Sequence, residues 1–288
     1  MKKLAISCDS VCVLPEKARE YGFTMAPFSI VIDGKHYLDT EIDMDELYTA
    51  LERQDDLPTT SMPNVGEFEQ LFTRLAEDAE AVLHIAITSV FSAAYKNAMQ
   101  ARERLAKRLP GTRIEVVDSR TTGMGVCLLT REALRFSSQG ENIDQVLSRV
   151  ERSLPQVYDL SARDTLFYLD KGGRIFEAKS WSEAEREASF RSIIEIDASS
   201  QGTVRPVARA KTEAQIIDRL VELTGERADG ATGLRGDIGY SRGAAQRAEN
   251  LKQALNSKLN FERLNVAEIS AAVAVHNGQG FIDYAFCF

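Results

Sequence analysis

Apolar and polar positions follow two rhythms along this chain. Short apolar runs closed by Gly, Pro, Asp or Ser predict strands, and stripes recurring every three or four residues predict helices. Leu4-Ala5-Ile6-Ser7-Cys8 is the first strand, ended by Asp9-Ser10. Phe28-Ser29-Ile30-Val31-Ile32 is another, and Asp33-Gly34 after it is a hairpin signal. Tyr37 and Leu38 precede an acidic helix start between residues 43 and 46, and Phe68, Leu71, Phe72 and Leu75 form one helical stripe. The run 81–87 predicts a strand leading to Ser92, an N-cap for a helix carrying Tyr95, Ala98 and Met99. Residues 114–118 form a third clear strand, closed by Asp118-Ser119. Gly123 and Gly125 loosen the approach to a long helix with Ile143, Val146, Leu147, Val150 and Leu154 on one side.

Beyond the stretch Leu160-Ser161-Ala162-Arg163 the strand-like runs shorten, at 165–169, 193–196 and 204–207. A helix is predicted over 212–226, a strand over 237–240, a helix over 244–255 and a closing strand over 281–288. This alternation predicts an α/β protein of two α/β domains. Residues 1–160 form the N-terminal domain, an α/β/α sandwich with a mostly parallel sheet, and residues 161–288 a smaller C-terminal one. Neither an internal repeat nor a low-complexity tract interrupts the pattern.

Composition narrows the function classes. At 288 residues, 44% hydrophobic and 27% charged, the chain has the make-up of an ordinary globular protein. A body of this size buries about 75% of its unfolded surface, enough to spare an apolar pocket. The net charge of −8 argues against broad nucleic-acid binding. No apolar run reaches the ~18 residues of a membrane span. Met1-Lys2-Lys3 leads into a short strand-like run instead of a signal peptide's apolar core, so a cytoplasmic protein is expected. Cys8, Cys12, Cys127 and Cys287 lack zinc-site spacing and are expected as buried reduced thiols. His84, inside an apolar run, is expected in the core.

Candidate chemistry lies in hydroxyl-rich and glycine-rich turns. Pro58-Thr59-Thr60-Ser61-Met62-Pro63 precedes a helix, and Thr88-Ser89-Val90-Phe91-Ser92 follows a strand. Hydroxyls at helix starts, beside unpartnered N–H groups, suit anionic oxygens. Lys171-Gly172-Gly173-Arg174 joins flexible backbone to two cations, and Arg174 can grip a carboxylate or phosphate bidentately. His276-Asn277-Gly278-Gln279-Gly280 follows the apolar run 271–275, placing His276 at a strand end where it can meet an oxyanion. Nucleophile-elbow, Walker A and dinucleotide-binding glycine motifs are all missing. The pattern suits a protein that holds an anionic headgroup; no catalytic residue, metal or cofactor is expected.

In this order the segments resemble the DegV family of bacterial fatty-acid-binding proteins. The likeness covers nearly the whole chain: Cys8-Asp9-Ser10, Pro27, Asp33-Gly34-Lys35-His36-Tyr37-Leu38-Asp39, Thr60-Ser61-Met62-Pro63, Ser89-Val90-Phe91-Ser92, Asp118-Ser119, Lys171-Gly172-Gly173-Arg174-Ile175 and His276-Asn277-Gly278-Gln279-Gly280. The resemblance implies a long acyl chain buried in the N-terminal domain and presented to a partner fatty acid kinase that makes an acyl phosphate. It implies that Thr60, Ser61, Ser92 and Ala93 hold the carboxylate. Arg174 and His276 then lie near the exposed head, in phosphate or kinase contact. The chain departs from the family pattern at Met62, at Ala93-Ala94 in place of Gly-Thr, and at Ile194-Glu195-Ile196, where an anion replaces a lysine. An altered head site is expected from these changes. Two rivals compete: an enzyme acting on a small phosphorylated or carbonyl compound at the same cleft, and a regulatory protein whose pocket has lost its ligand.

Overall fold

The computed structural model describes residues 3–288 apart from Gln54 and the side chain of Arg186; Met1 and Lys2 lie outside the described residues. The first half runs Ala5–Asp9 (β1), Pro15–Tyr21 (α1), Thr24–Ala26 (β2), Ser29–Ile32 (β3), Lys35–Leu38 (β4), Met44–Leu51 (α2), Thr59–Ser61 (β5), Val65–Glu77 (α3), Ala81–Ala86 (β6), Ala94–Arg108 (α4), Arg113–Asp118 (β7), Gly123–Ser138 (α5) and Ile143–Ser153 (α6). Strands β2, β1, β6 and β7 form a parallel sheet in that order. Every residue of β1 and β6 is buried, because the helix pairs α3–α4 and α5–α6 pack on the sheet and leave no wet face to carry alternating polar residues. His84 is a core residue, as expected: it stands edge-on to Phe68 and Phe72 and hydrogen-bonds to Ser7 Oγ at 3.0 Å and Asp9 Oδ1 at 3.2 Å.

The Asp33-Gly34 signal does make a hairpin. Both residues take positive φ, 50° and 75°, which matches the twist of β3 and β4. A third strand, β5, pairs on the other edge of β3 with Thr60 opposite Ile30. Behind this small sheet, Asp39 accepts from Ser10 Oγ at 2.6 Å and from the Phe28 N–H at 3.0 Å. Burial pushes its carboxyl up to about 8. The Asp-Ser turn after β1 thus anchors the hairpin.

The second half runs Tyr158–Ala162 (β8), Phe167–Lys171 (α7), Lys179–Ala188 (α8), Arg191–Glu195 (β9), Arg205–Ala210 (β10), Glu213–Ala228 (α9), Leu234–Tyr240 (β11), Ala245–Lys258 (α10), Phe261–Glu268 (β12), Ala271–Asn277 (α11) and Ile282–Cys287 (β13). Its six strands form a mixed sheet, β10-β9-β8-β13-β11-β12, in which only the β11–β12 pair is parallel. The 160/161 division drawn from sequence falls inside β8, whose residues pair with β13 and β9.

Three sequence expectations change. The long helix is two: α5 ends at Gln139-Gly140, and α6 starts on its own capping box, Asn142 with Gln145. The strand expected at 165–169 is the turn into α7, where Thr165 Oγ1 accepts from the Phe167 N–H at 3.1 Å. The run 271–275 belongs to helix α11. A wholly buried five-residue apolar run carries no period to separate strand from helix, and its alanines favour the helix.

Helix α5 joins the halves. From Gly123 to Thr130 every residue is buried, because α5 packs on β1 and β6 of one sheet and on β8, β11 and β13 of the other. One apolar core runs from Leu4 through α5 to Ala285 and Cys287. Since both sheets share that core, Leu129→Ala, at a fully buried position, is expected to cost about 2–5 kcal/mol. Urea unfolding followed by fluorescence and by circular dichroism is expected to show one coincident transition moved to lower urea. A separate transition for each half would contradict a shared core.

Candidate functional site

A cavity lies between the two halves, partly open to solvent, with about 80 Å³ of room for the centre of a water-sized sphere. Val11, Phe28 and Ile87 line it from the first half, Leu169 and Ile196 from the second, and Val273 from α11. Thr60, Ser92, Arg174 and His276, taken from four distant stretches of sequence, line the same space.

Helix α11 brings them together by packing against β5, α2 and α7. Thr60 Oγ1 and His276 Nε2 share a hydrogen bond of 2.8 Å. Strand alternation turns Thr60 inward beside buried Ile30, while Thr59 and Ser61 are exposed. At the end of α7 the turn Gly172-Gly173 passes under the imidazole. A Cβ on Gly172 would come within 2.7 Å of His276 Nδ1, so a side chain there would push the histidine away. Gly278 is constrained twice, by φ of +71° and by the Tyr168 ring 2.2 Å from where a Cβ would stand. Burial, with the Arg174 cation adding to it, drops the His276 pKa to about 4. The ring is neutral at pH 7. Arg174 donates from Nη1 to the Gly172 carbonyl, which aims its guanidinium across the same turn.

Ser92 is not an N-cap. It lies two residues ahead of α4, and its Oγ accepts from the Ala94 N–H at 3.1 Å, which leaves the hydroxyl proton free to donate. Ala93 takes the cap position with no side-chain acceptor. Its φ of −75° suits any residue, so replacing glycine there strains nothing. Ser61 and Ala93 are exposed and do not line the cavity. Thr60 sits on a strand, not at a helix start, and His276 on a helix, not at a strand end. Glu195, expected to alter the head site, is buried away from it between Arg205 and Arg227.

The family model described as "Uncharacterised protein, DegV family" matches residues 3–288. The chain belongs to the DegV family. A DegV domain-containing protein of Clostridium perfringens is 25% identical over 284 residues, covering 98% of this chain and 97% of that relative. A DegV family protein from Thermus thermophilus, described for its fatty acid binding, superposes with a TM-score of 0.88 at 25% identity over 99% of each chain. One from Eubacterium eligens, loaded with heptadecanoic acid, shares the fold with a TM-score of 0.87 at 18% identity, again over 99% of each chain.

This DegV chain carries a second polar cluster on the cavity wall that sequence reasoning did not single out: Ser161, Arg163 and Asp283. At the end of an apolar strand, Arg163 reads like any surface cation; only the pairing of β8 with β13 buries it.

Because the His276 ring gains its proton at about 4 in the fold against 6.5 in the unfolded chain, its contribution to stability is whole above 6.5. That contribution is lost as pH falls toward 4. Stability of the parent minus that of His276→Gln is therefore expected to rise with pH across 4 to 6.5 and to level off above, read by urea unfolding at stepped pH. A flat difference would mean that the imidazole protonates freely in the fold.

Proposed function

We propose that the protein is a carrier, not an enzyme, which holds one long-chain fatty acid in this cavity and presents it to a partner fatty acid kinase for acyl phosphate formation. The observation that carries the reading is that Thr60, Ser92, Arg174 and His276 line one largely apolar cavity. A carboxylate there receives the hydroxyl protons of Ser92 and Thr60 and faces the Arg174 cation. Neutral His276 then donates its Nε2–H to Thr60 Oγ1 without adding charge. The apolar wall takes the tail. About 15 methylenes at ~0.8 kcal/mol each offer roughly 12 kcal/mol of transfer energy, against ~1.5–3 kcal/mol for each hydrogen bond to a charged head. The tail sets affinity, and the head sets which end faces out. Binding by the Thermus thermophilus relative supports the ligand class.

Native mass spectrometry of the purified protein is expected to show a co-purifying long-chain acid. Ser92→Ala is expected to weaken binding of a fluorescent fatty acid by about 10- to 100-fold, the size of one charge-assisted hydrogen bond, with an unchanged melting curve. Unaltered binding by this variant would remove Ser92 from the head site, and failure to bind any acyl chain would end the carrier reading. Arg174→Ala is expected to retain lipid and lose kinase-dependent phosphorylation.

A further inference from the structure

Arg163 is 2% exposed and lines the cavity. Its Nη2 donates to Ser161 Oγ at 2.5 Å, while Nε and Nη1 meet no acceptor among the described residues. A buried guanidinium with two idle N–H groups is costly to keep unless something else accepts from it. No hydrogen bond among the described residues joins Arg163 to Thr60, Ser92, Arg174 or His276, so it forms a second polar point in the cavity, apart from the head.

The charges around Arg163 decide what that acceptor is. Asp283, Glu185 and Asp159 face it, and the Phe281 ring lies 5.0 Å from the guanidinium. Asp159 accepts from Thr121 Oγ1 at 2.6 Å, and Asp283 from the Met124 N–H at 2.7 Å. Burial pushes both carboxyls up, and the two lie against each other. One cation facing three acidic side chains leaves no excess positive charge for a second anion to neutralise. A neutral oxygen satisfies the idle N–H groups without adding charge to a dry site.

We propose that Arg163 is a ligand-contacting residue and that the preferred acid of this protein carries a neutral oxygen, a hydroxyl or keto group, along its chain. The proposal rests on the carrier reading above and specifies its ligand. A plain alkyl chain passes Arg163 and leaves its N–H groups unpaired, which a site built to hydrogen-bond penalises.

The test is displacement of a fluorescent fatty acid from the full-length protein. The competitors are stearic acid, hydroxystearic and oxostearic acids substituted at mid-chain or at the terminal carbon, and the matching dicarboxylic acid. At least one hydroxy or oxo acid is expected to bind about tenfold or more tighter than stearic acid, and the dicarboxylic acid more weakly than the best of them. Arg163→Leu is expected to abolish that preference while retaining stearic acid. Arg163→Lys, which keeps the charge and loses the planar fork, serves if the leucine variant does not fold and is expected to lose the preference as well. Stearic acid binding as tightly as every oxygenated acid overturns the proposal and leaves the carrier reading intact. A preference that survives both substitutions overturns the role of Arg163. Binding of none of the acids defeats the carrier reading and this proposal together.

Discussion

The first two turns of helix α5 are buried on all sides between two sheets, and the site depends on that burial. The second half also has apolar clusters of its own, one around Leu220 and Leu251 and one around Leu169 and Val204, and α5 ties it to the first. From Gly123 to Thr130, α5 has no solvent face, and the apolar core passes through it from Leu4 to Cys287. Gly123, at its first turn, stands on the wall of the cavity between the two halves. The cavity wall draws on both halves, with Leu169, Ile196 and Phe281 coming from the second.

The two polar clusters on the cavity wall are built differently. Around Thr60, a hydrogen bond and a glycine turn hold a neutral imidazole beside a hydroxyl, and the Arg174 cation comes from a loop. Such a site can receive a charged group, because its own net charge is small and positive. At Arg163 the guanidinium is embedded among acidic side chains, and two of its N–H groups have no acceptor among the described residues. Both clusters lie within a protein of net charge −8. Local donors at a few ångströms in a dry cavity outweigh a distant field screened by water.

Much of the scaffold was legible in the chain. The buried parallel strands β1 and β6 carried continuous apolar runs, and the α3 stripe carried the helical period. Asp33-Gly34 named its own turn. What stayed hidden had no local signature. The segment 271–275 is apolar throughout, so nothing in its pattern separates helix from strand. Glu195 looked like a change at the head, yet Arg205 and Arg227, ten and thirty-two residues away, neutralise it elsewhere. Ser61 and Ala93, neighbours of residues that line the cavity, face solvent because a strand alternates and a turn bends.

By itself, the sequence determined most of the element types, the α/β class, and the residue kinds available for holding an acid: hydroxyls, a glycine-flanked arginine and a lone histidine. Those are properties of spacing and side-chain chemistry within a few residues. Only the tertiary structure decided that Thr60 and His276, 216 residues apart, share a hydrogen bond, and that Arg163 is buried with open donors instead of standing in water. Contact across such separations is set by how helices and sheets pack, and burial, which fixes the charge state of His276 and the idle groups of Arg163, exists only once they have packed.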